Sequence, residues 1–119
     1  MRAVKIDTAD PKREELIASE VLKAKNFLNR LLGLTVRRKL KDKEGFFIED
    51  CSSIHTFWMR YSIDAVFLDR KNQVVAIHNN IRPFRMTPFI KNAFSVLELG
   101  SGTIEKTSLS VGDLIRFRI

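Results

Sequence analysis

His55-Thr56-Phe57-Trp58-Met59-Arg60-Tyr61-Ser62-Ile63-Asp64-Ala65-Val66-Phe67-Leu68-Asp69 holds the only Trp, the only Tyr and one of the two His of the chain. Its second half, residues 63–68, is apolar on both faces apart from Asp64. A strand reads that way when it is covered from both sides. The first half alternates, with His55, Phe57, Met59 and Tyr61 on one face and Thr56, Trp58 and Arg60 on the other. That period predicts a second extended piece, joined to the first by a kink near Ser62.

Working outward, Asp69-Arg70-Lys71-Asn72-Gln73 is a hairpin connection in which Asn72 suits a left-handed backbone. Val74-Val75-Ala76-Ile77-His78 returns as the partner strand. Residues 79–90, with Arg82, Pro83, Arg85 and Pro88, lack periodicity and read as the longest loop, a length often reserved for function. Phe94-Ser95-Val96-Leu97-Glu98-Leu99 is a further strand, followed by Gly100-Ser101-Gly102 and a short helical turn that Thr103 is placed to cap. Lys106 stands where a reciprocal Glu would complete a capping box. After a turn at Val111-Gly112-Asp113, Ile115, Phe117 and Ile119 alternate with Arg116 and Arg118, the pattern of a last strand with one wet face.

Upstream, Val4 and Ile6 predict a short opening strand and residues 16–22 a second one. Phe27, Leu28, Leu31 and Leu32 recur at helical spacing between Asn26 as cap and Gly33 as stop, predicting a helix of two to three turns. Gly45-Phe46-Phe47-Ile48 is another strand. The sum is six to eight short strands, one short helix and no repeating βα unit. The expected fold is mainly β within the α+β class, a small, mostly antiparallel barrel or sandwich with the helix packed on it. At 119 residues, the length fits one domain spanning residues 1–119.

Hydrophobic content of 45% and charged content of 29% are those of a soluble globular chain. No run is long enough to cross a membrane as a helix, and residues 1–7 lack the apolar core of a signal peptide. Cys51 is the only cysteine, so no internal disulfide is available and a cytoplasmic location is expected. The formal net charge of +7 admits an anionic partner, nucleic acid included. The densest basic segment, residues 35–44, sets Arg37, Arg38, Lys39, Lys41 and Lys43 against only Asp42 and Glu44; a solvated loop is the plain reading and a phosphate-backbone contact the sharper one.

The order of these pieces resembles one family. Gly45-Phe46-Phe47-Ile48, Ile54-His55-Thr56-Phe57-Trp58-Met59-Arg60 and Ile63-Asp64-Ala65-Val66-Phe67-Leu68-Asp69 come first. Val74-Val75 before a Pro-containing loop, Val96-Leu97-Glu98-Leu99, Gly102-Thr103 and Val111-Gly112-Asp113 then follow. Over roughly residues 16–117 the chain is similar to the domain of unknown function 192 family of small bacterial and archaeal proteins. Arg30-Leu31-Leu32-Gly33-Leu34 resembles that family's short helix. Two positions depart from the pattern: Asn72 stands where the family's hairpin carries Gly, and Gly100 where it carries Pro. The resemblance implies a mainly β, barrel-like fold and no activity, because the family has no established one.

Candidate chemistry rests on few residues. Cys51, His55 and Met59, four apart on an extended chain, offer a soft ligand set, yet neighbours four apart on a strand lie about 13 Å from each other. One metal cannot bridge them unless the chain folds back, so Met59 reads first as core filler. Cys51 beside His55 is also the only nucleophile-and-base pair of this kind, without a recognisable oxyanion hole or phosphate loop. Asp64 inside an apolar strand requires a partner, with Arg60, Arg82 or a turn start as options, and Glu98 poses the same question. The preferred reading is a non-catalytic module without a cofactor that binds a small molecule or a protein. Its site is expected where the loop of residues 79–91 meets the opening stretch, at His55, Arg60, Asp64, Arg82, Arg85 and Glu98. The alternatives are an electrostatic nucleic-acid binder built on the basic segment and an enzyme or soft-metal protein built on Cys51 and His55.

Overall fold

The structure, a computed structural model, describes residues 1–24, 40–56 and 59–119. Eight strands and one short helix are found among them: β1 (Arg2–Ile6), β2 (Glu14–Ala18), β3 (Glu20–Ala24), β4 (Glu44–Glu49), β5 (Ile63–Leu68), β6 (Val74–Ile81), β7 (Ser95–Gly100), α1 (Thr103–Thr107) and β8 (Leu114–Arg118). They build a three-stranded sheet of order β2-β1-β8 and a five-stranded sheet of order β3-β4-β7-β5-β6. Every pairing is antiparallel except β3 with β4. The mainly β expectation holds, as a sandwich whose sheets do not close into a barrel.

The five-stranded sheet is the middle of the molecule, because both of its faces are apolar. On one face Phe47, Val66, Leu68, Leu97 and Leu99 pack against Ala3, Ile17 and Ile115 of the small sheet and Ile104 of α1. On the other, Phe46, Ile48, Ile63, Ala65, Phe67 and Val96 pack under Ile54 and Met59, with Cys51, Tyr61 and Ile90 half-buried around them. The predicted two-sided strand is thus real: all six residues of β5 are buried. The middle position nevertheless belongs to β7, which is flanked by β4 and β5.

Three expectations need correction. Residues 16–22 are two strands. The chain passes from the small sheet to the large one at Ser19, where the Ser19 and Glu20 N–H groups both donate to the Lys43 carbonyl at 2.9 and 3.0 Å. The simple alternation misleads there because β2 shifts register opposite Ala3 and Val4, which lets Ile17 and Ala18 bury side by side. Thr56 and Met59 do not lie on one extended strand. The Met59 N–H donates to the Thr56 carbonyl at 3.2 Å, whereas three residues of extended chain would span about 10 Å. The strand after the hairpin runs to Ile81, so the long loop starts at Arg82. The helix expected near residues 26–33 lies outside the described residues, as do Phe57 and Trp58.

The hairpin between β5 and β6 is built as its sequence requires. Asn72 sits at φ 63° and donates its N–H to the Asp69 carbonyl, while the Asp69 carboxylate accepts the Lys71 and Gln73 N–H groups. Asn is among the few side chains that enter the left-handed region at low cost. Asn72→Ala should therefore lower stability by about 1 kcal/mol, and Asn72→Gly should leave it close to wild type. Urea midpoints at unchanged slope would measure both.

Candidate functional site

Asp64 lies on the face of β5 that looks toward α1 and the small sheet, and its carboxylate is 1% exposed. It meets no arginine among the described residues. Instead Oδ1 accepts the Asn80 N–H at 2.8 Å, and Oδ2 accepts the Gly102 and Ile104 N–H groups at 3.0 Å each. The first of these belongs to a β-bulge. Ile63 pairs with Ile81 and Ala65 with His78, so Asn79 and Asn80 together oppose Asp64, with Asn80 at φ 51°. The other two belong to the start of α1. Gly102 is the N-cap at φ 93° and supplies no side-chain bond, so the cap expected from Thr103 comes instead from a carboxylate on a distant strand. Ser101 Oγ donates to Asn80 Oδ1 at 2.9 Å and links the bulge to the same turn. Asp64 is therefore a buried anchor satisfied by backbone donors.

The remaining candidates fall in three places. Glu98 is fully buried on the opposite face of the large sheet, in a cross-strand row with Phe46, Ala65 and His78. The loop sets the Arg82 and Arg85 backbones against Thr56, the residue after His55 in the chain. Arg60 is exposed at the end of the segment that carries Met59. Of the soft-ligand set, Met59 is buried in the outer core, the Cys51 thiol donates to the Ser53 carbonyl at 3.0 Å, and His55 forms a single bridge with Met86. In the basic segment, Lys41 and Lys43 are exposed in a turn where Glu44 Oε1 accepts the Lys41 N–H. Arg37, Arg38 and Lys39 lie outside the described residues.

The loop itself is held by backbone pairing and by two threonines. Antiparallel bonds join it to the segment before it in the chain: Thr56 N–H to the Arg85 carbonyl, Phe84 N–H to the Thr56 carbonyl, Thr87 N–H to the Ile54 carbonyl and Ile90 N–H to the Ser52 carbonyl, all between 2.8 and 2.9 Å. The buried Thr56 hydroxyl donates to the Arg82 carbonyl at 2.6 Å and accepts the Arg85 N–H at 2.9 Å. Buried Thr87 Oγ1 accepts the Ile54 N–H at 3.0 Å. With its polar backbone occupied inward, the loop turns its large apolar side chains out. Phe84, Met86 and Phe89 are 65, 66 and 74% exposed, beside exposed Arg82, Arg85 and Lys91.

Sequence reasoning reached the loop and its arginines but passed over these three apolar residues and both threonines. The available signal was the spacing of Phe84, Met86 and Phe89 around Pro83 and Pro88, which as a set fits neither a helical nor a strand period and so offers no common buried face.

An open two-sheet sandwich with a double-faced middle sheet and one carboxylate-anchored turn is the class this geometry defines. The sequence profile of the family named DUF192, described as "Uncharacterized ACR", matches residues 8–117, and the chain belongs to that family. The UPF0127 protein of Pyrococcus furiosus is 32% identical over 110 residues, covering 85% of this chain and 89% of that one. Two crystal structures share the fold. A protein of unknown function from Novosphingobium aromaticivorans aligns with a TM-score of 0.80 at 19% identity, over 98% of this chain and 84% of that chain. A Sinorhizobium meliloti protein, provisionally described as a transcription regulator, aligns with a TM-score of 0.79 at 21% identity, over 97% and 91%. No helix among the described residues is long and apolar enough to cross a membrane.

The two anchors should separate by experiment. Asp64→Ala strands three N–H donors, one buried and two partly buried, and should destabilise the whole fold by about 2–3 kcal/mol in denaturant titrations. Thr56→Val keeps the shape and removes only the loop's clamp. It should cost about 1–3 kcal/mol and speed amide exchange at Arg85 more than at β5 or β7.

Proposed function

We propose that this protein is a non-catalytic binding module of the cytoplasm whose recognition surface is the loop of residues 82–91, and that its partner is a protein segment carrying both acidic and apolar side chains. The observation behind this reading is the exposure of Phe84, Met86 and Phe89 on a backbone already fixed by Thr56 and Thr87. Large apolar side chains grouped on a surface mark interaction sites when they are contiguous and rimmed by polar residues. A loop ordered before binding loses less conformational entropy on association. The rim here is Arg82, Arg85 and Lys91, and residues 79–94 contain no Asp or Glu. The complementary partner is therefore negative around an apolar centre.

A second reading uses the same loop for single-stranded nucleic acid. Phe84 and Phe89 would stack bases and the cations would follow the backbone. The net charge of +7 and the provisional description of the Sinorhizobium structure favour it. Selection of random peptides on the wild-type protein, counter-screened on Phe84→Ser/Phe89→Ser, tests the first reading. Enriched peptides should combine Asp or Glu with aromatic or branched residues and lose at least about tenfold in affinity on the double variant. Failure to enrich any such sequence would sink the reading. A steep fall of oligonucleotide affinity with rising salt would then favour the second.

A further inference from the structure

A concavity opens between the two sheets at the end marked by Glu49 and Ser95. This open cleft has a volume of about 290 Å³, with Phe47, Phe94 and Phe117 as apolar walls and Lys23, Glu49, Arg70, Asn72 and Ser95 as polar groups. The Phe47 and Phe117 rings meet at 4.4 Å between centroids, one from each sheet, so the floor of the cleft is the aromatic contact that joins the sheets. That volume is at the small end of ligand sites.

Two features of the lining lack an explanation in the folding of the chain. Ser95 is 1% exposed, yet its hydroxyl finds no hydrogen-bond partner among the described residues. Its register partners Glu49 and Leu68 place it on the inner face of β7, the face onto which the cleft opens. A buried hydroxyl without a partner is unfavourable, so one in a native structure calls for a cause. The second feature is the charge. Lys23 is paired with Glu49, which neutralises both. Arg70 pairs with no carboxylate among the described residues; its guanidinium lies over the Phe94 ring, 4.3 Å from the centroid. Stacking uses the face of the guanidinium and leaves its planar edge of N–H donors free, the edge that grips a carboxylate with two parallel bonds.

From the buried hydroxyl, the uncompensated guanidinium and the aromatic walls together, we infer that this cleft binds a small aromatic carboxylate, of the size of benzoate. The ring lies against the Phe47–Phe117 floor, and the carboxylate accepts from Arg70 and from the Ser95 hydroxyl. This site is independent of the loop of residues 82–91 and stands or falls without it.

The test is ligand-detected NMR and calorimetry on the full chain with benzoate, benzamide and inorganic phosphate. Benzoate should bind at millimolar concentration or tighter. Benzamide, which keeps the ring and loses the charge, and phosphate, which keeps charge and loses the ring, should each bind about tenfold more weakly or not at all. Arg70→Gln, at an exposed position, should weaken benzoate about tenfold. Ser95→Ala should weaken benzoate severalfold while leaving the melting temperature of the free protein unchanged or higher, because the hydroxyl it removes is unsatisfied without ligand. Absence of benzoate binding would overturn the inference. So would equal affinity for benzamide or phosphate, or full benzoate affinity in Arg70→Gln. A lowered melting temperature for Ser95→Ala with unchanged benzoate affinity would do the same, since it would show a structural hydroxyl.

Discussion

The carboxylate of Asp64 is the constraint on which the geometry around it depends. A β-bulge and a helix start each leave backbone N–H groups that their own element cannot satisfy. Here the bulge at Asn79 and Asn80 and the start of α1 at Gly102 lie on either side of one strand. A single side chain between them takes a donor from the first and two from the second. The arrangement explains how an acidic residue is tolerated in a strand otherwise buried and apolar. Three oriented amides replace the water that the carboxylate gives up, and no counter-charge is required. It also ties β6, β5 and the turn after β7 into one unit, which fixes where β6 ends and the loop of residues 82–91 departs.

That departure sets the character of the loop. The outer face of the five-stranded sheet needs a cover, and Ile54, Met59 and Ile90 supply it. Backbone pairing of residues 52–56 with residues 84–90 holds this cover in a near-sheet geometry outside the sheet proper. Side chains on such a ribbon alternate between inside and outside. Thr87 goes in, and Met86 goes out. Met86 is thus on the outward side of this ribbon, while Phe89, out of that alternation, is exposed beside it.

Much of this architecture is written locally. The apolar runs of β4, β5 and β7, the alternation of β8 and the left-handed Asn72 follow from rules that act within six or eight residues. The features that escaped such reading are settled across the molecule. Ser19 divides two strands because the Lys43 carbonyl waits on the neighbouring strand, and nothing in residues 16–22 announces it. Thr103 has the sequence of a cap, yet Asp64 performs that task from 39 positions earlier than Gly102's successor in the chain. Asp64 itself was recognisable as a polar residue in need of partners, whereas the identity of those partners was not, because backbone donors leave no mark on side-chain composition. The candidate residues separate for a related reason. Asp64 and Glu98 occupy neighbouring strands, but Asp64 is in register with Leu99 and Glu98 with Ala65, so they point to opposite faces. Strand period predicts the face within one strand, and only cross-strand register relates one strand's face to another's.

The small sheet has a further consequence, for the order of assembly. β1 stands between β2, its near neighbour in sequence, and β8, whose Arg118 pairs with Arg2. The β1–β2 hairpin is a local structure that closes quickly, while the other edge of β1 stays open until β8, about a hundred residues later in the chain, arrives. During that interval it offers an unpaired row of backbone groups, the kind of edge on which chains associate wrongly. Lys5 and Arg2 sit along that strand, and their charges discourage a second copy from docking there before β8 does.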